Sequence, residues 1–368
     1  MIVGIPGEIK TNENRVSMTP AGVSALTHRK HKVVVQHNAG LGSGFKDDEY
    51  LEAGAKVVEN AEGVFESADM IVKVKEPQPS EYKLLKSNRI LFTYLHLASS
   101  EQLTRALLES SVTGIAYETV QLDDGSLPLL IPMSRIAGRL SVQVGAELLL
   151  KYNGGRGILL GGSPGVEAAK VVIIGGGTVG MAAARIAVGL GAKTTVMDIN
   201  PKTLAWIDEY YSGRVNTLFS NKYELQRQVQ RADLLIGAVL VPGAKAPKLV
   251  TEDMVKSMKQ GSVIVDVAID QGGSVETIDR VTTHENPSYV KHGVVHYSVA
   301  NMPGAVPRTS TKALEGSTLP YIIQLADFGM DALEKNKPLM KGLNTFKGML
   351  TNYPVADSLG MKYTPYRS

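Results

Sequence analysis

The chain of 368 residues contains no cysteine. Disulfide bonds, thiolate catalysis and cysteine-ligated zinc are therefore excluded. The seven histidines include no pair with zinc-like spacing beside a carboxylate, so we predict no metal site.

A strong charge of one sign and long apolar runs are also missing. The net charge of +3 is small for this length, so neither nucleic acid nor an anionic membrane is an expected partner. No apolar run reaches the length of about 18 residues that a spanning helix needs. Residues 1–5 read as a strand with no basic region before it, so we expect no cleaved targeting segment and a cytoplasmic protein.

The clearest motif lies in residues 169–200, AKVVIIGGGTVGMAAARIAVGLGAKTTVMDIN. An apolar strand leads into Gly175, Gly177 and Gly180, which fit GxGxxG; a helix and a second strand follow, and that strand ends at Asp198. The first glycine permits a tight turn, the second lets the backbone approach a pyrophosphate, and the third lets helix and strand pack closely. Asp198 can accept hydrogen bonds from a ribose diol and would repel a 2′-phosphate. The motif therefore predicts a dinucleotide-binding fold that prefers NAD to NADP.

Strand and helix patterns alternate over residues 1–125, without a glycine-rich phosphate loop. Apolar residues recur every four positions after Pro132 and predict a connecting helix up to 153; further helices are predicted at 310–319 and, restarting after Pro320, at 321–335. We expect a discontinuous substrate domain, 1–130 plus 306–368, and an NAD-binding Rossmann domain, 131–305. The predicted fold class is α/β: two Rossmann-like domains with doubly wound parallel sheets and an active-site cleft between them.

Ligands of such sheets bind beyond the carboxyl ends of the strands, which makes the residues there candidates for chemistry. His96 follows the predicted strand 90–95 and could transfer a proton; alternatively, it is a hydrogen-bonded core histidine. Asp270 follows the strand 262–268 and could activate water or hold a protonated histidine; alternatively, it belongs to an ordinary turn. Asp266, within the apolar run, is interpreted as a buried structural carboxylate.

Three basic residues could bind a carboxylate. Lys73 and Lys75 alternate with apolar residues and should share a face, so one of them could bind the substrate, although a solvated strand end would look the same. Arg15, in the loop after the first strand, could hold a carboxylate in a bidentate way or simply be solvated.

Nine segments together make the chain similar to the alanine dehydrogenase family, which also includes the nucleotide-binding part of proton-translocating transhydrogenase. The resemblance covers essentially the whole length. The segments are VGIPGEIK…NRVSMTPAGV, VKVKEP with LLKSNRILFTYLHLA, AYETVQ, LPLLIPMS, GGRGILLGG, GGGTVG, IGAVLVPGAKAPKLV, VDVAIDQGG and VANMPGAVPRTST.

The resemblance implies that Arg15 and Lys75 hold the substrate carboxylate, that His96 and Asp270 carry the proton chemistry, and that the chain forms a homohexamer. It also implies NAD contacts in addition to the three glycines. These are Ser134, Thr178, Val179, Asp198, Ser220, Val239, Leu240, Val267, Ala268, Ile269, Arg280, Val299, Ala300, Asn301 and Met302. Two positions depart from the family pattern: Arg135, where a glutamate is expected, and Thr203, where a basic residue commonly meets the adenosine.

The predicted function is the reversible, NAD-dependent oxidative deamination of L-alanine to pyruvate and ammonium. One alternative is a transhydrogenase-type NAD-binding module that oxidises no amino acid. The lack of a spanning segment and the joint presence of Arg15, Lys75 and His96 count against it. A catalytically idle NAD-binding regulator is a third possibility.

Overall fold

The computed structural model describes residues 1–239 and 246–366. The chain divides into two compact units. Unit 1 comprises residues 1–133 and 306–368, and unit 2 comprises residues 134–305.

The strands of the described residues are β1 (Ile2–Ile5), β2 (Lys32–Gln36), β3 (Lys56–Val58), β4 (Met70–Val72), β5 (Ile90–Thr93), β6 (Thr113–Ala116), β7 (Lys170–Ile174), β8 (Lys193–Asp198), β9 (Val215–Phe219), β10 (Leu234–Gly237), β11 (Val263–Asp266), β12 (Ser288–Lys291), β13 (Val294–Tyr297), β14 (Leu343–Phe346) and β15 (Met349–Leu350).

The α-helices are α1 (Pro20–His28), α2 (Asp47–Glu52), α3 (Ala61–Ser67), α4 (Glu101–Ser110), α5 (Ile131–Leu148), α6 (Thr178–Gly189), α7 (Pro201–Tyr211), α8 (Lys222–Arg231), α9 (Glu252–Lys256), α10 (Pro307–Phe328), α11 (Asp331–Lys335), α12 (Lys337–Lys341) and α13 (Tyr353–Leu359).

Unit 1 contains an eight-stranded sheet in the order β15-β14-β6-β5-β4-β1-β2-β3. The strands β1 to β6 are parallel, and β14 and β15 extend the sheet in antiparallel pairings. The strand order reverses between β1 and β4. Such a reversal is called a switch point, and ligands of open α/β sheets bind there, beyond the carboxyl ends of the strands. In unit 1 the loops after β1 and β4 lie at the switch point.

Unit 2 contains a seven-stranded sheet in the order β12-β13-β11-β10-β7-β8-β9. Its strands are parallel except for β12, which pairs antiparallel with β13. The switch point lies between β7 and β10, so the glycine turn after β7 is at the expected place for a ligand. The predicted α/β fold class of two Rossmann-like domains is confirmed.

The central strands are built from β-branched and other apolar residues because helices cover the sheet on both faces. In β7, Val171 to Ile174 are at most 2% exposed, and in β2 Val33 to Val35 are buried. The helix α6 packs against this core through small residues such as Ala183 and Ala187, which are fully buried. Because these side chains are small, α6 lies close to the sheet near the glycine turn that connects β7 to α6.

Some predicted elements were wrong. The expected break at Pro320 is absent, because α10 continues through it as one helix of 22 residues. The residue four positions earlier, whose carbonyl a proline ring would meet, is Gly316. The short strands β3, β12, β14 and β15 were also missed, since strands of two to four residues carry little periodicity.

Among the described residues, no helix is long and apolar enough to span a bilayer.

Candidate active site

Arg15 lies in the loop after β1, and a neighbouring carboxylate fixes its orientation. Its Nε donates to Glu13 Oε1 at 2.6 Å, its Nη2 donates to Glu13 Oε2 at 2.5 Å, and its side chain is only 2% exposed. Its Nη1 contacts Met133 Sδ at 3.1 Å. Burial disfavours the charged guanidinium, but the hydrogen bonds and charge of Glu13 outweigh this and raise the pKa of Arg15. Arg15 is therefore a fixed, permanent cation at the switch point of unit 1.

Lys75 lies in the loop after β4, on the other side of the same switch point. Its Nζ makes no hydrogen bond or ion pair with any described residue. Burial, and then the positive charge of Arg15, lower the pKa of Lys75. Two cations within electrostatic reach of each other, one of them unpaired, favour an anionic ligand beside them.

Lys73, which the sequence left equivalent to Lys75, has a different environment. It is 1% exposed, and its Nζ lies 2.9 Å from Glu81 Oε1 and 3.3 Å from Glu8 Oε2. Glu8 in turn accepts the backbone N–H of Val74 at 2.6 Å and that of Lys75 at 3.4 Å. Lys73 is thus neutralised by two carboxylates, one of which holds the backbone that carries Lys75.

His96 follows β5 and presents its ring to solvent, so the alternative of a core histidine was wrong. Its backbone is left-handed, with φ of 49°, and its N–H donates to Glu118 Oε1 at 2.6 Å. The imidazole stacks on Tyr94, with ring centroids 5.8 Å apart and planes 9° apart. Tyr94 is itself fixed by donating its hydroxyl to Leu129 O at 2.6 Å, and it lies within electrostatic reach of Arg15. The ring nitrogens have no hydrogen-bond partner among the described residues, which leaves them available for proton transfer.

The glycine turn after β7 has the backbone geometry that a dinucleotide requires. Gly175 has φ of 103°, and a Cβ there would approach Ala238 O to 2.7 Å. A Cβ on Gly180 would collide with Gly175 O, whereas a Cβ on Gly177 would meet no atom within 4 Å in the part of the chain that the structure describes. Gly177 is also the N-cap of α6, and no side chain caps that helix. The free N–H groups and the positive dipole end of α6 therefore face a space in which a diphosphate fits.

Asp198 ends β8 next to this turn. Its Oδ2 accepts the N–H of Gly176 at 2.7 Å and its Oδ1 accepts the N–H of Asn200 at 2.8 Å. Each carboxylate oxygen keeps a further lone pair, which a ribose hydroxyl can use. The residues present thus fit a dinucleotide: a helix N-terminus for the diphosphate and a fixed carboxylate for the ribose.

The other predicted cofactor residues of unit 2 lie mostly beyond the carboxyl ends of its parallel strands. Ser134 is near the start of α5 instead, and Leu240 lies outside the described residues. The residues after strand ends are Ser220 after β9, Val239 after β10, Val267, Ala268 and Ile269 in the 3₁₀ turn after β11, and Val299, Ala300, Asn301 and Met302 after β13. Arg280, whose carbonyl accepts the hydroxyl of Ser298, adjoins that last group.

Two aspartates near the end of β11 have different environments. Asp266 is buried; its Oδ2 accepts the N–H of Ser274 at 2.6 Å and its Oδ1 accepts that of Ala268 at 3.0 Å. Asp270, in the following 3₁₀ turn, is exposed at the same edge as the glycine turn. Asp266 therefore fixes the turn, and Asp270 is the carboxylate that can reach a ligand. In the described residues, no group of three or more His, Asp or Glu side chains could hold a metal ion.

Family models cover almost the whole chain. The model described as alanine dehydrogenase/PNT, N-terminal domain, matches residues 4–137, and the one described as alanine dehydrogenase/PNT, C-terminal domain, matches residues 141–353. The chain belongs to this family. The shared family name covers pyridine nucleotide enzymes, so the cofactor of an alanine dehydrogenase/PNT protein is a pyridine nucleotide.

Individual members of the alanine dehydrogenase/PNT family are closely similar. An alanine dehydrogenase of Methanococcus maripaludis is 60% identical over 99% of this chain and 98% of its own. A solved L-alanine dehydrogenase superposes with a TM-score of 0.95 and is 52% identical, covering 98% of this chain and 99% of its own. A solved transhydrogenase of Sinorhizobium meliloti is 27% identical, with a TM-score of 0.80, over 96% of this chain and 99% of its own.

Several residues that shape the site in this family member were not predicted from the sequence. Glu13 fixes Arg15, Tyr94 supports the ring of His96, Glu118 holds its backbone, and Glu8 holds the backbone of Lys75. Glu13 and Tyr94 each stand two positions before the residue that they support, a spacing that puts side chains on one face of extended chain. That spacing was a usable signal. Glu8 and Glu118 come from distant segments, and nothing local indicates their role.

Proposed function

We propose that the chain catalyses the reversible, NAD-dependent oxidative deamination of L-alanine, in which alanine, NAD⁺ and water give pyruvate, ammonium, NADH and a proton. The observation that carries this proposal is the pair of cations at the switch point of unit 1, Arg15 held by Glu13 and Lys75 without a partner. An amino-acid carboxylate is an anion that such a pair can hold. The alanine dehydrogenases that resemble this chain over nearly its full length support the same substrate.

The proposed cofactor is NAD rather than NADP. Asp198 supports this preference, because its carboxylate can accept hydrogen bonds from a ribose diol and would repel a 2′-phosphate. When bound, the nicotinamide would accept the hydride from the Cα of alanine.

The chain's own residues would perform the remaining chemistry. Arg15 and Lys75 bind the carboxylate, which orients the Cα–H bond of the substrate. His96, with its exposed imidazole, takes the proton from the substrate amine. Asp270 orients the water that attacks the resulting imine, and the tetrahedral product then releases ammonium. These assignments, and the use of Asp270 together with the unit 1 residues, stay predictions.

An absorbance assay at the NADH band tests the proposal. Purified protein with NAD and L-alanine should form NADH, and pyruvate should accumulate in equal amount. His96→Ala should lose about 10²–10⁴-fold in turnover, the usual contribution of a general base, while binding NAD normally. Wild-type protein that binds NAD yet oxidises neither alanine nor another small amino acid would contradict the proposal.

The transhydrogenase-type alternative is not favoured. The similarity to the solved transhydrogenase is 27% identity, against 52% for the solved L-alanine dehydrogenase. The homohexamer and the cytoplasmic location, both expected at the outset, stay predictions. Sedimentation equilibrium would give a mass six times that of the 39.5 kDa chain if the hexamer forms.

A further inference from the structure

Unit 2 contains a groove of about 780 Å³ that the proposed reaction does not use in full. It begins at Gly177 and Thr178 and runs between α5, α6 and α7. We call it the cationic groove and define it by Arg135, Arg139, Arg185, Lys202, Trp206 and Tyr210, which line it.

The four basic side chains of the cationic groove have no acidic partner. Within the described residues, no ion pair or side-chain hydrogen bond involves any of these four side chains, and no aspartate or glutamate lines the groove. Four cations around one concavity repel each other and attract an anion.

The cationic groove is longer than a cofactor diphosphate needs. A diphosphate at the start of α6 would meet Thr178, whereas Arg185 lies seven residues further along the same helix. At 1.5 Å per residue this is about 10 Å, or two turns. Arg139 likewise lies one turn beyond Arg135 on α5. The pair formed by Arg139 and Arg185 therefore remains for a second anion.

An aromatic surface lies beside these cations. Trp206 and Tyr210 are 52% and 51% exposed, and their rings stack with centroids 5.0 Å apart and planes 17° apart. Exposed, stacked rings of this kind provide a flat face on which a further planar group can stack.

We propose that the cationic groove binds a nucleoside phosphate beside the dinucleotide, with Arg139 and Arg185 holding the phosphates and Trp206 stacking on the base. The proposal depends on the proposed function only in that the dinucleotide diphosphate is assigned to the turn at Gly177. Because the two ligands share one groove, occupancy by the nucleoside phosphate alters the affinity for the dinucleotide.

Trp206 is the only tryptophan of the chain, so its fluorescence reports directly on the groove. ADP should quench this fluorescence, and it should do so even when NAD is saturating. Arg139→Gln and Arg185→Gln should each weaken ADP binding about tenfold, the loss expected for one charge-assisted phosphate contact. Inorganic pyrophosphate should compete with ADP, and added salt should weaken both.

Arg231→Gln is the matched control, because Arg231 is an exposed arginine of α8 in the same unit and does not line the groove. It should bind ADP like the wild type. Isothermal titration calorimetry in parallel detects binding that leaves the fluorescence unchanged.

The proposal is overturned if saturating NAD abolishes ADP binding, which would mean that ADP occupies only the dinucleotide site. It is equally overturned if the Arg139 and Arg185 variants match the control, or if neither quenching nor heat is observed. None of these readouts requires turnover of alanine.

Discussion

At the scale of single residues, the site of unit 1 is formed by basic side chains with different surroundings. Arg15 has its guanidinium held by Glu13, and Lys73 is enclosed by two carboxylates. Lys75 alone of the three has no carboxylate within ion-pair distance among the described residues. A half-buried cation without a counter-ion costs folding free energy, and proteins retain such a group where a ligand supplies the missing charge.

Lys75→Met is expected to separate activity from stability. The variant should lose about hundredfold in kcat/KM for alanine, since it removes a charged contact to the carboxylate worth about 3 kcal/mol. It should also be more stable by about 1 kcal/mol at neutral pH, because the substitution removes an unpaired cation from a half-buried position. Burial and Arg15 depress the pKa of Lys75 in the folded protein, so this gain should shrink as the pH rises through that depressed pKa.

Steady-state kinetics and thermal denaturation at neutral and alkaline pH measure both effects. Lys56→Met, at an exposed position on the edge strand β3, is the control and should change neither quantity. Equal loss of activity and stability in Lys75→Met would instead indicate a structural lysine.

At the scale of elements, the loops at each switch point are held by polar contacts from other segments. The Lys73 ion pairs join the loop after β1, the end of β4 and the 3₁₀ turn that contains Glu81. In unit 2, the glycine turn joins β7 to α6, and Asp198 from β8 binds its backbone. The switch-point loops of the two units therefore depend on different chemistry. In unit 1 they are held by buried ion pairs, and in unit 2 the turn depends on glycines that have no side chain.

Lys73→Met should destabilise unit 1 by about 3–5 kcal/mol at neutral pH, because it leaves the carboxylates of Glu8 and Glu81 buried without a cation. Burial already raises the pKa of Glu8 in the presence of Lys73. Without Lys73 it should rise further, so the folded variant binds a proton more readily than the unfolded chain and the penalty should shrink as the pH falls.

Urea denaturation of Lys73→Met at several pH values tests whether the loss of stability shrinks as the pH falls. Lys86→Met removes an exposed ion pair to Glu66 and should cost less than about 1 kcal/mol at any pH. A penalty that grows on acidification would refute the account of the buried carboxylates.

Gly177→Ala should fold normally and lose NAD binding. A Cβ at this position meets no atom of the described residues within 4 Å, so it costs the fold little, but it enters the space assigned to the diphosphate. Gly189→Ala, at the end of α6 and equally unobstructed, is the matched control and should stabilise the helix by about 0.5–1 kcal/mol with NAD binding intact. Calorimetric titration with NAD, together with circular dichroism, distinguishes the two; unchanged NAD affinity in Gly177→Ala would place the diphosphate elsewhere.

At the scale of the whole molecule, the first five strands of the two units follow the same spatial order, but the loops at the switch point differ. In both sheets the first parallel strand lies beside the fourth. Unit 2 has the open glycine turn there, whereas in unit 1 the loop after β1 carries the charged side chains of Glu8, Glu13 and Arg15. If the proposed sites are right, the same architecture serves two different ligands.

Hydrogen exchange should show that the nucleotide binds to unit 2 and the substrate to unit 1. NAD alone should protect amides of the turn at 175–180 and the first turn of α6, since those N–H groups would bind the diphosphate. Pyruvate, added with NAD, should protect the loops that contain Arg15 and Lys75. Protection by NAD confined to the loops after β1 and β4 would contradict the assignment of the nucleotide to unit 2.

Local sequence was sufficient for the dinucleotide turn, because strand, glycines, helix and acidic residue all lie within about thirty positions and each has a local physical requirement. Except for the short β3, the parallel strands of both sheets were also recognisable, since buried parallel strands are continuous apolar runs. Helix was predicted on both sides of Pro320, but the continuity of α10 through it was not, because a proline suggests a break.

Only the tertiary structure distinguished Lys73 from Lys75, since the carboxylates that neutralise the former come from positions 8 and 81. The cationic groove was likewise visible only in the tertiary structure, because its lining residues come from three separate helices. Motifs encode contacts between near neighbours in the chain, whereas the pairing of buried charges depends on which distant segments the fold brings within a few ångströms of each other.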